Sequence, residues 1–262
     1  MEDSLREGVF ARKQIFCRAG LIAWSHRRRF QAGLELARGA AGGRLLDYGC
    51  GDGTFLAMLM ATSHRPAVAV GVEIDDRLVA DCRQRLGSQA GLEFIHVREL
   101  TAASHGGRYD AVFCMEVLEH VVEVERMLEL FHRLLAPGGR LHISVPVETG
   151  LPLIVKQAAR RVAGWRGLGD YPGTSPYSAG EMWRSLWPGS GQHIERPVHR
   201  HADGSAFYDH KGFNWRRLRR QVAERFELVA TQASPVKWLT PGMASQVWLA
   251  ARKGGDASAH EL

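Results

Sequence analysis

Cysteine is scarce in this chain. Its 262 residues hold four, at positions 17, 50, 82 and 114, and no two form a CxxC pair. That count and spacing exclude a disulfide framework and a zinc-binding cysteine cluster. Apolar runs are short, and none approaches the roughly 18 residues that cross a bilayer. The opening MEDSLREGVF lacks an apolar stretch, so no secretory leader is expected. A reduced, cytoplasmic setting follows as the expectation. Lysine is sparse too, with 5 against 29 arginines, while 34 basic against 28 acidic residues leave a net charge of +6. Arginine binds carboxylate and phosphate bidentately, which suits anionic partners, although a solvated basic surface has the same composition. At 45% hydrophobic and 24% charged, the chain is neither disordered nor fibrous.

Residues 5–38 hold no proline and read as one helix that stops at the GAAGG of 39–43. Short apolar runs then alternate with helical stretches. Strands are expected at 44–48, 67–73, 92–97, 109–115 and 140–145, and helices at 54–62, 76–86 and 121–135. Continuous apolar strands separated by helices predict a parallel sheet covered on both faces. Beyond a helix at 151–162, residues 164–212 are rich in Gly, Pro, Ser, Trp and His, too long for a plain connection. A helix at 214–226 and strands at 226–232 and 244–252 close the pattern. The organisation expected is a helical N-terminal cover (1–43), one α/β domain (44–253) carrying 164–212 as an insertion, and a tail (254–262).

The first strand runs into Asp47-Tyr-Gly49-Cys-Gly51-Asp-Gly53-Thr54. Three alternate glycines let the backbone turn tightly and approach a ligand, and the helix that follows aims free N–H groups into the same space. The spacing matches neither the dinucleotide GxGxxG nor the P-loop. The second strand ends at Glu73, where an acid at a strand end can accept hydrogen bonds from both ribose hydroxyls.

With these residues the chain resembles class I S-adenosylmethionine-dependent methyltransferases. The resemblance rests on LLDYGCGDGTFL, VGVEID, YDAVFCMEVLEHV and LLAPGGRLHISVP, in that order across residues 44–147. It implies a Rossmann-like, doubly wound seven-stranded sheet with a reversed final hairpin. It also implies S-adenosylmethionine as donor: Gly49, Gly51 and Gly53 beneath the methionine part, Asp47 at its amino group, Glu73 on the ribose, Ile74 and Leu100 flanking adenine, and Met115 near the methyl. Where the family often has Gly-Asp after the third strand, this chain has Val97-Arg98-Glu99. The adenine amine is then met by Glu99 or by a backbone carbonyl.

On the acceptor side, Glu116, Glu119 and His120 are spaced i, i+3, i+4, so a helical turn would point all three one way. Such a set binds a divalent cation or does acid–base work; it also suits a plain helix start. The segment from Tyr208 to Arg216 contains His210 and is similar to one in small-RNA 2′-O-methyltransferases, where a His completes a Glu-Glu-His-His metal site. Ubiquinone-biosynthesis O-methyltransferases share the Glu-x-x-Glu-His phrase and a later His. The resemblance therefore implies Mg²⁺, Mn²⁺ or Co²⁺ on Glu116, Glu119, His120 and His210, needed most below about pH 6.5, where imidazole protonates. Without a metal, His120 or His210 is the candidate general base. His193, His199 and His201 are nearby alternatives. Trp165, Tyr171, Tyr177, Trp183, Trp187, Phe207 and Tyr208 suit a lid over the acceptor, and the SHRRRF run at 25–30 suits an anion clamp. The acceptor expected is a hydroxyl on a small molecule, a lipid-linked compound or a glycan. RNA 2′-O-methylation and N- or C-methylation of a small molecule stand as alternatives, and nucleic acid ranks lower because no separate RNA-binding module or Lys-rich stripe is evident.

Overall fold

The structure, a computed structural model, describes residues 2–165, 175–200 and 204–254. Three helices come first: α1 (Glu2–Glu7), α2 (Val9–Gln14) and α3 (Gly20–Ala37). Then follow β1 (Arg44–Tyr48), α4 (Thr54–Met60), β2 (Val68–Glu73), α5 (Asp76–Leu86), β3 (Leu92–His96), α6 (Ala102–His105), β4 (Tyr109–Met115), α7 (Val124–Leu134) and β5 (Leu135–Pro146). The rest comprises α8 (Gly150–Trp165), α9 (Ala179–Leu186), β6 (Val198–Arg200), β7 (Ala206–Tyr208), α10 (Trp215–Arg225), β8 (Glu227–Ser234) and β9 (Gln246–Arg252).

Seven strands form one sheet in the order β3-β2-β1-β4-β5-β9-β8, and β6 pairs with β7 apart from it. Strands β1 to β5 are parallel, while β9 runs antiparallel to both β5 and β8. This is the expected Rossmann-like sheet with its reversed final hairpin. The chain winds outward from β1 to β3, then crosses to β4 on the other side of β1. The chain leaves β1 for α4 on one face of the sheet and β4 for α7 on the other, which opens a crevice at the strand ends.

Side chains alternate across the sheet, so each strand feeds two cores. Leu46, Val112, Ile143 and Leu249 face α7 and α10. Leu45, Ala69, Phe113 and Trp248 face α3, α4 and α5. Both faces being covered is why the strands read as unbroken apolar runs rather than alternating ones.

The N-terminal region departs from the single helix expected. It breaks at Gly8 and again over residues 15–19. The cause at Gly8 is tertiary. Asp52, in the glycine loop, accepts from the backbone N–H groups of Phe10 and Ala11 at 2.8 and 2.9 Å, so its carboxylate caps α2 from outside. A Cβ on residue 8 would lie 2.4 Å from that carboxylate oxygen. Residues 116–123 are likewise not helical, and α7 starts at Val124. Four buried or half-buried cysteines stay free. Among the described residues no helix is long and apolar enough to cross a membrane.

Helix α3 lies flat on the sheet because Gly33 faces it. A Cβ there would sit 3.0 Å from the Phe55 ring and 3.3 Å from the Trp248 ring. Gly33→Val should therefore overpack this contact and destabilise the protein by about 1–3 kcal/mol. Urea unfolding monitored by circular dichroism measures it, and an unchanged midpoint would show that α3 does not bear on the sheet as described.

Candidate active site

A cleft of about 950 Å³ opens at the carboxyl ends of β1, β2 and β4. Of the site residues expected from sequence, Asp47, Gly49, Gly51, Glu73, Ile74, Met115, Glu116 and His120 line it.

Asp47 ends β1 inside the core, 1% exposed. Neither carboxylate oxygen has a hydrogen-bond partner. Burial, and secondarily the nearby Glu73 charge, pushes its pKa up to about 8, against a lowering pull from Arg29. The loop that follows turns on Gly49, Gly51 and Gly53, all at positive φ. A Cβ on Gly49 would strike Val117 at 2.3 Å, so the loop after β1 and the loop after β4 touch only because that residue is glycine. Gly53 does not line the cleft; a Cβ on it would meet Leu86 and Phe94 at 2.9 Å, and it works as the left-handed N-cap of α4.

Glu73 holds the rim of the loop. One carboxylate oxygen accepts from Gly51 N–H at 2.9 Å and the other from Ile74 N–H at 2.7 Å. Its remaining lone pairs face the cleft. The third strand delivers a different residue from those expected. Val97 lines the cleft, while Glu99 and Leu100 do not. Glu99 is instead drawn back over the short turn after β3, where it accepts from His96 N–H at 2.8 Å and from Arg83 at 2.9 Å. Those donors, the His96 amide first, hold its pKa below the ordinary carboxylate range.

The N-terminal helices supply Phe10, Gln14, Arg29 and Phe30 to the same cleft. Arg29 is 5% exposed and donates to Gln14 at 2.9 Å; its Nη1 lies 3.8 Å from Glu116, and its Nε has no partner. It sits at the edge of the stripe formed by Ala23, Phe30, Gly33 and Ala37, so periodicity places it near the core without revealing the inward turn. Its neighbours in the SHRRRF run go elsewhere: Arg27 binds the Ile15 carbonyl and Arg28 binds Gln31.

The acceptor-side residues converge less completely than the spacing implies. Glu119, His120 and His210 present ligand atoms within 4.8 Å of one another. Glu116 lies outside that cluster. The segment is a turn rather than a helix, and Glu116 itself has φ 56°, which swings its side chain toward Ser144 (3.1 Å) and Arg29. The i, i+3, i+4 argument therefore fails for Glu116.

His120 Nδ1 lies 2.8 Å from the Tyr208 carbonyl. A carbonyl only accepts, so Nδ1 carries the proton and Nε2 presents a lone pair. That Nε2 is 3.9 Å from Glu119, a fully buried acid with no hydrogen bond to either oxygen. Burial, then the Glu116 charge, raises the Glu119 pKa well above the ordinary range. The His210 ring stands edge-on to His120 with centroids 4.8 Å apart, and its Nδ1 has no partner. Burial lowers the His210 pKa to about 4, so its imidazole stays neutral and ligand-competent well below pH 6.5.

Of the aromatics expected in a lid, Phe207 lines the cleft. Tyr177 instead accepts from Gly212 N–H at 2.8 Å, and Trp183 and Trp187 are 65% and 75% exposed. His199 faces Asp209 at 3.5 Å and His193 accepts from Arg217 at 2.9 Å, so neither joins the cluster. Tyr171, His201, the side chain of Trp165 and nearly all of the expected tail lie outside the described residues.

Comparison with known proteins agrees with this geometry. Residues 23–211 match a family model described as a methyltransferase domain. Over 124 residues the chain is 32% identical to the ubiquinone biosynthesis O-methyltransferase of Psychrobacter arcticus, covering 47% of this chain and 46% of that protein. The chain thus spans under half the length of this curated relative. A protein from Pyrococcus horikoshii superposes with a TM-score of 0.57 at 14% identity, over 94% of this chain and 96% of that one. Magnesium protoporphyrin IX methyltransferase from Synechocystis, whose structure holds SAH, superposes with a TM-score of 0.51 at 20% identity, over 89% and 87%. At such identities the solved structures show a shared fold.

Asp47 gives a stability prediction. Its folded pKa of about 8 stands above the ordinary 3.8, so the folded state keeps a proton that the unfolded chain releases. The stabilisation is complete below the unfolded value and is lost progressively as pH rises toward the folded one. Asn mimics the protonated acid and carries no such loss. Thermal unfolding of the ligand-free protein should show Asp47→Asn matching wild type near pH 4 and exceeding it at pH 8. A variant that melts lower throughout would mean Asp47 is ionised and paired in the folded state.

Proposed function

The chain belongs to the methyltransferase domain family; from that premise we propose that it takes a methyl group from S-adenosylmethionine and places it on a hydroxyl oxygen of a small-molecule, lipid-linked or glycan acceptor. The observation that carries this reading is the meeting of Glu119 and His210 with His120, which lines the cleft and whose Nδ1–H is held by the Tyr208 carbonyl.

The cleft fits the donor chemically. Asp47, a buried acid with two unpartnered oxygens, suits the ammonium of the methionine part, and Arg29, with its free Nε, suits the carboxylate. Glu73 suits the ribose, and Ile74 with Val97 suits the adenine faces. The donor supplies an electrophilic methyl group, so the protein needs no nucleophile of its own. What remains is to bring an acceptor oxygen into line and to take its proton.

Glu119, His120 and His210 would hold a divalent cation as a three-residue ligand set. His120 donates its other ring N–H to a backbone carbonyl, as metal-bound imidazoles commonly do. Two nitrogens and one oxygen favour Mn²⁺ or Co²⁺ over Mg²⁺. Such an ion lowers the pKa of a hydroxyl beside it and orients it. If no ion is used, His120 Nε2 is the atom placed to accept the proton. Val121, Val122, Met127 and Phe207 give this end of the cleft apolar surface beside the charged Glu123, Arg126 and Arg133, which suits an amphipathic acceptor.

Glu73→Ala should weaken donor binding by roughly 1–3 kcal/mol, the cost of losing a charged hydrogen-bond partner. Calorimetry with S-adenosylhomocysteine measures it, and full affinity would place the ribose elsewhere. For the metal, EDTA should abolish turnover, Mn²⁺ should restore it, and His210→Ala should lose turnover while still binding donor. Turnover that survives EDTA would reassign the proton to His120 alone. Binding of Mn²⁺ should strengthen as pH rises, because Glu119 must release its proton to act as a ligand; His210 adds no pH dependence above about pH 5. Calorimetry in buffers of differing ionisation heat reads the released proton.

A further inference from the structure

We propose that Arg196 is the positioning residue of the acceptor side, the group that holds His210 against His120 and Glu119; the inference rests on those residues as the acceptor-side machinery. Arg196 lies in the irregular stretch between α9 and β6, inside the 164–212 segment but not among the residues singled out in the sequence. Its guanidinium donates to three backbone carbonyls. Nε reaches Lys211 at 3.1 Å, Nη2 reaches Asp209 at 2.7 Å, and the same nitrogen also meets the carbonyl of Glu119. Residues 209 and 211 are the two neighbours of His210. One side chain therefore grips the carbonyls of both neighbours of one member of the cluster and the carbonyl of another.

The plane is fixed from its faces as well. Arg196 lies over the Tyr208 ring, 4.2 Å from its centroid, and 5.5 Å from that of Phe213. Burial lowers its pKa to about 10, which leaves it charged at neutral pH. Among the described residues no carboxylate forms an ion pair with it. A half-buried cation held by carbonyls and aromatic faces without a counter-charge is costly, and a plain loop staple does not require one. Only a planar fork serves three divergent carbonyls; an ammonium on the same stem is a point donor.

The rest of the segment has its own anchors. Asp209 accepts from Ser175 N–H at 2.7 Å and Lys211 N–H at 2.8 Å, and Phe213 is buried in the core beside α10. Loss of Arg196 should then leave the fold standing and loosen the register between residues 208–211 and 119–120. That register is read by two bonds: Tyr208 N–H to the His120 carbonyl at 2.9 Å, and His120 Nδ1–H to the Tyr208 carbonyl.

The test compares Arg196→Met and Arg196→Lys with wild type. Arg196→Met should keep donor affinity and melting temperature but lose about 10²-fold in kcat, the scale of misplacing a catalytic group by about 1 Å. Arg196→Lys should recover part of that loss, and sub-denaturing guanidinium should restore turnover to Arg196→Ala. A second readout needs no acceptor. In wild type the Tyr208 amide and the His120 Nδ1 proton should exchange slowly by NMR, and in Arg196→Met both should exchange quickly. If Arg196→Met retains slow exchange at both protons, or loses donor affinity and stability in step with turnover, the proposal is wrong. A wild-type protein inactive on every hydroxyl acceptor would sink the function above, while the exchange measurement would still decide the role of Arg196.

Discussion

Asp47 is an acid placed at the end of the central strand with nothing to bind, and the geometry of the cleft follows from that placement. A buried carboxyl without partners destabilises the ligand-free fold, either by staying protonated at neutral pH or by carrying an uncompensated charge. β1 sits at the switch point of the sheet, so this acid opens onto the cleft. Every other donor-side group is set relative to this acid. Glu73 stands one strand over with its carboxylate tied to the glycine loop, and Arg29 reaches in from α3. In the donor placement proposed above, a zwitterionic ligand would set its carboxylate against Arg29 and its ammonium against Asp47, favouring the ionised acid and so recovering on binding what its burial costs in the empty state.

The side proposed to take the acceptor is built differently. Its groups come from a turn after β4 and from a loop more than eighty residues later, joined by backbone hydrogen bonds and by one guanidinium. No regular element carries it. A site assembled from two loops has freedom that a site on strand ends lacks, which suits the part of the enzyme that must fit different acceptors on a common donor-binding scaffold.

Strand positions, the glycine loop and Glu73 were legible in the sequence because each depends on local order: apolar runs, alternate glycines, an acid at a strand end. β1 and β4 fall at the expected residues. What escaped depends on contacts distant in sequence. The break at Gly8 is imposed by Asp52. The inward turn of Arg29 depends on the pocket it meets, and the role of Arg196 on three carbonyls from two loops. Glu116 shows the limit of spacing arguments. Its i, i+3 relation to Glu119 implies a common face only if the turn is helical, and a positive φ at Glu116 removes that condition. Glu99 was read from position alone, without the Arg83 and His96 groups that draw it away.

The contact between Gly8 and Asp52 has a consequence for how this sequence can drift. A single carboxylate both caps α2 and, through its other oxygen, binds Thr54 at the start of α4 at 2.6 Å. Position 8 has no room for a side chain while position 52 is an acid, and position 52 cannot shrink without freeing two amide donors at the start of α2. The two sites are bound to change together or not at all. Homologues in which residue 8 has gained bulk should carry a smaller residue at 52 and a differently fastened N-terminal segment, so a paired substitution at these two places would mark a lineage that has redrawn the entrance to its donor cleft.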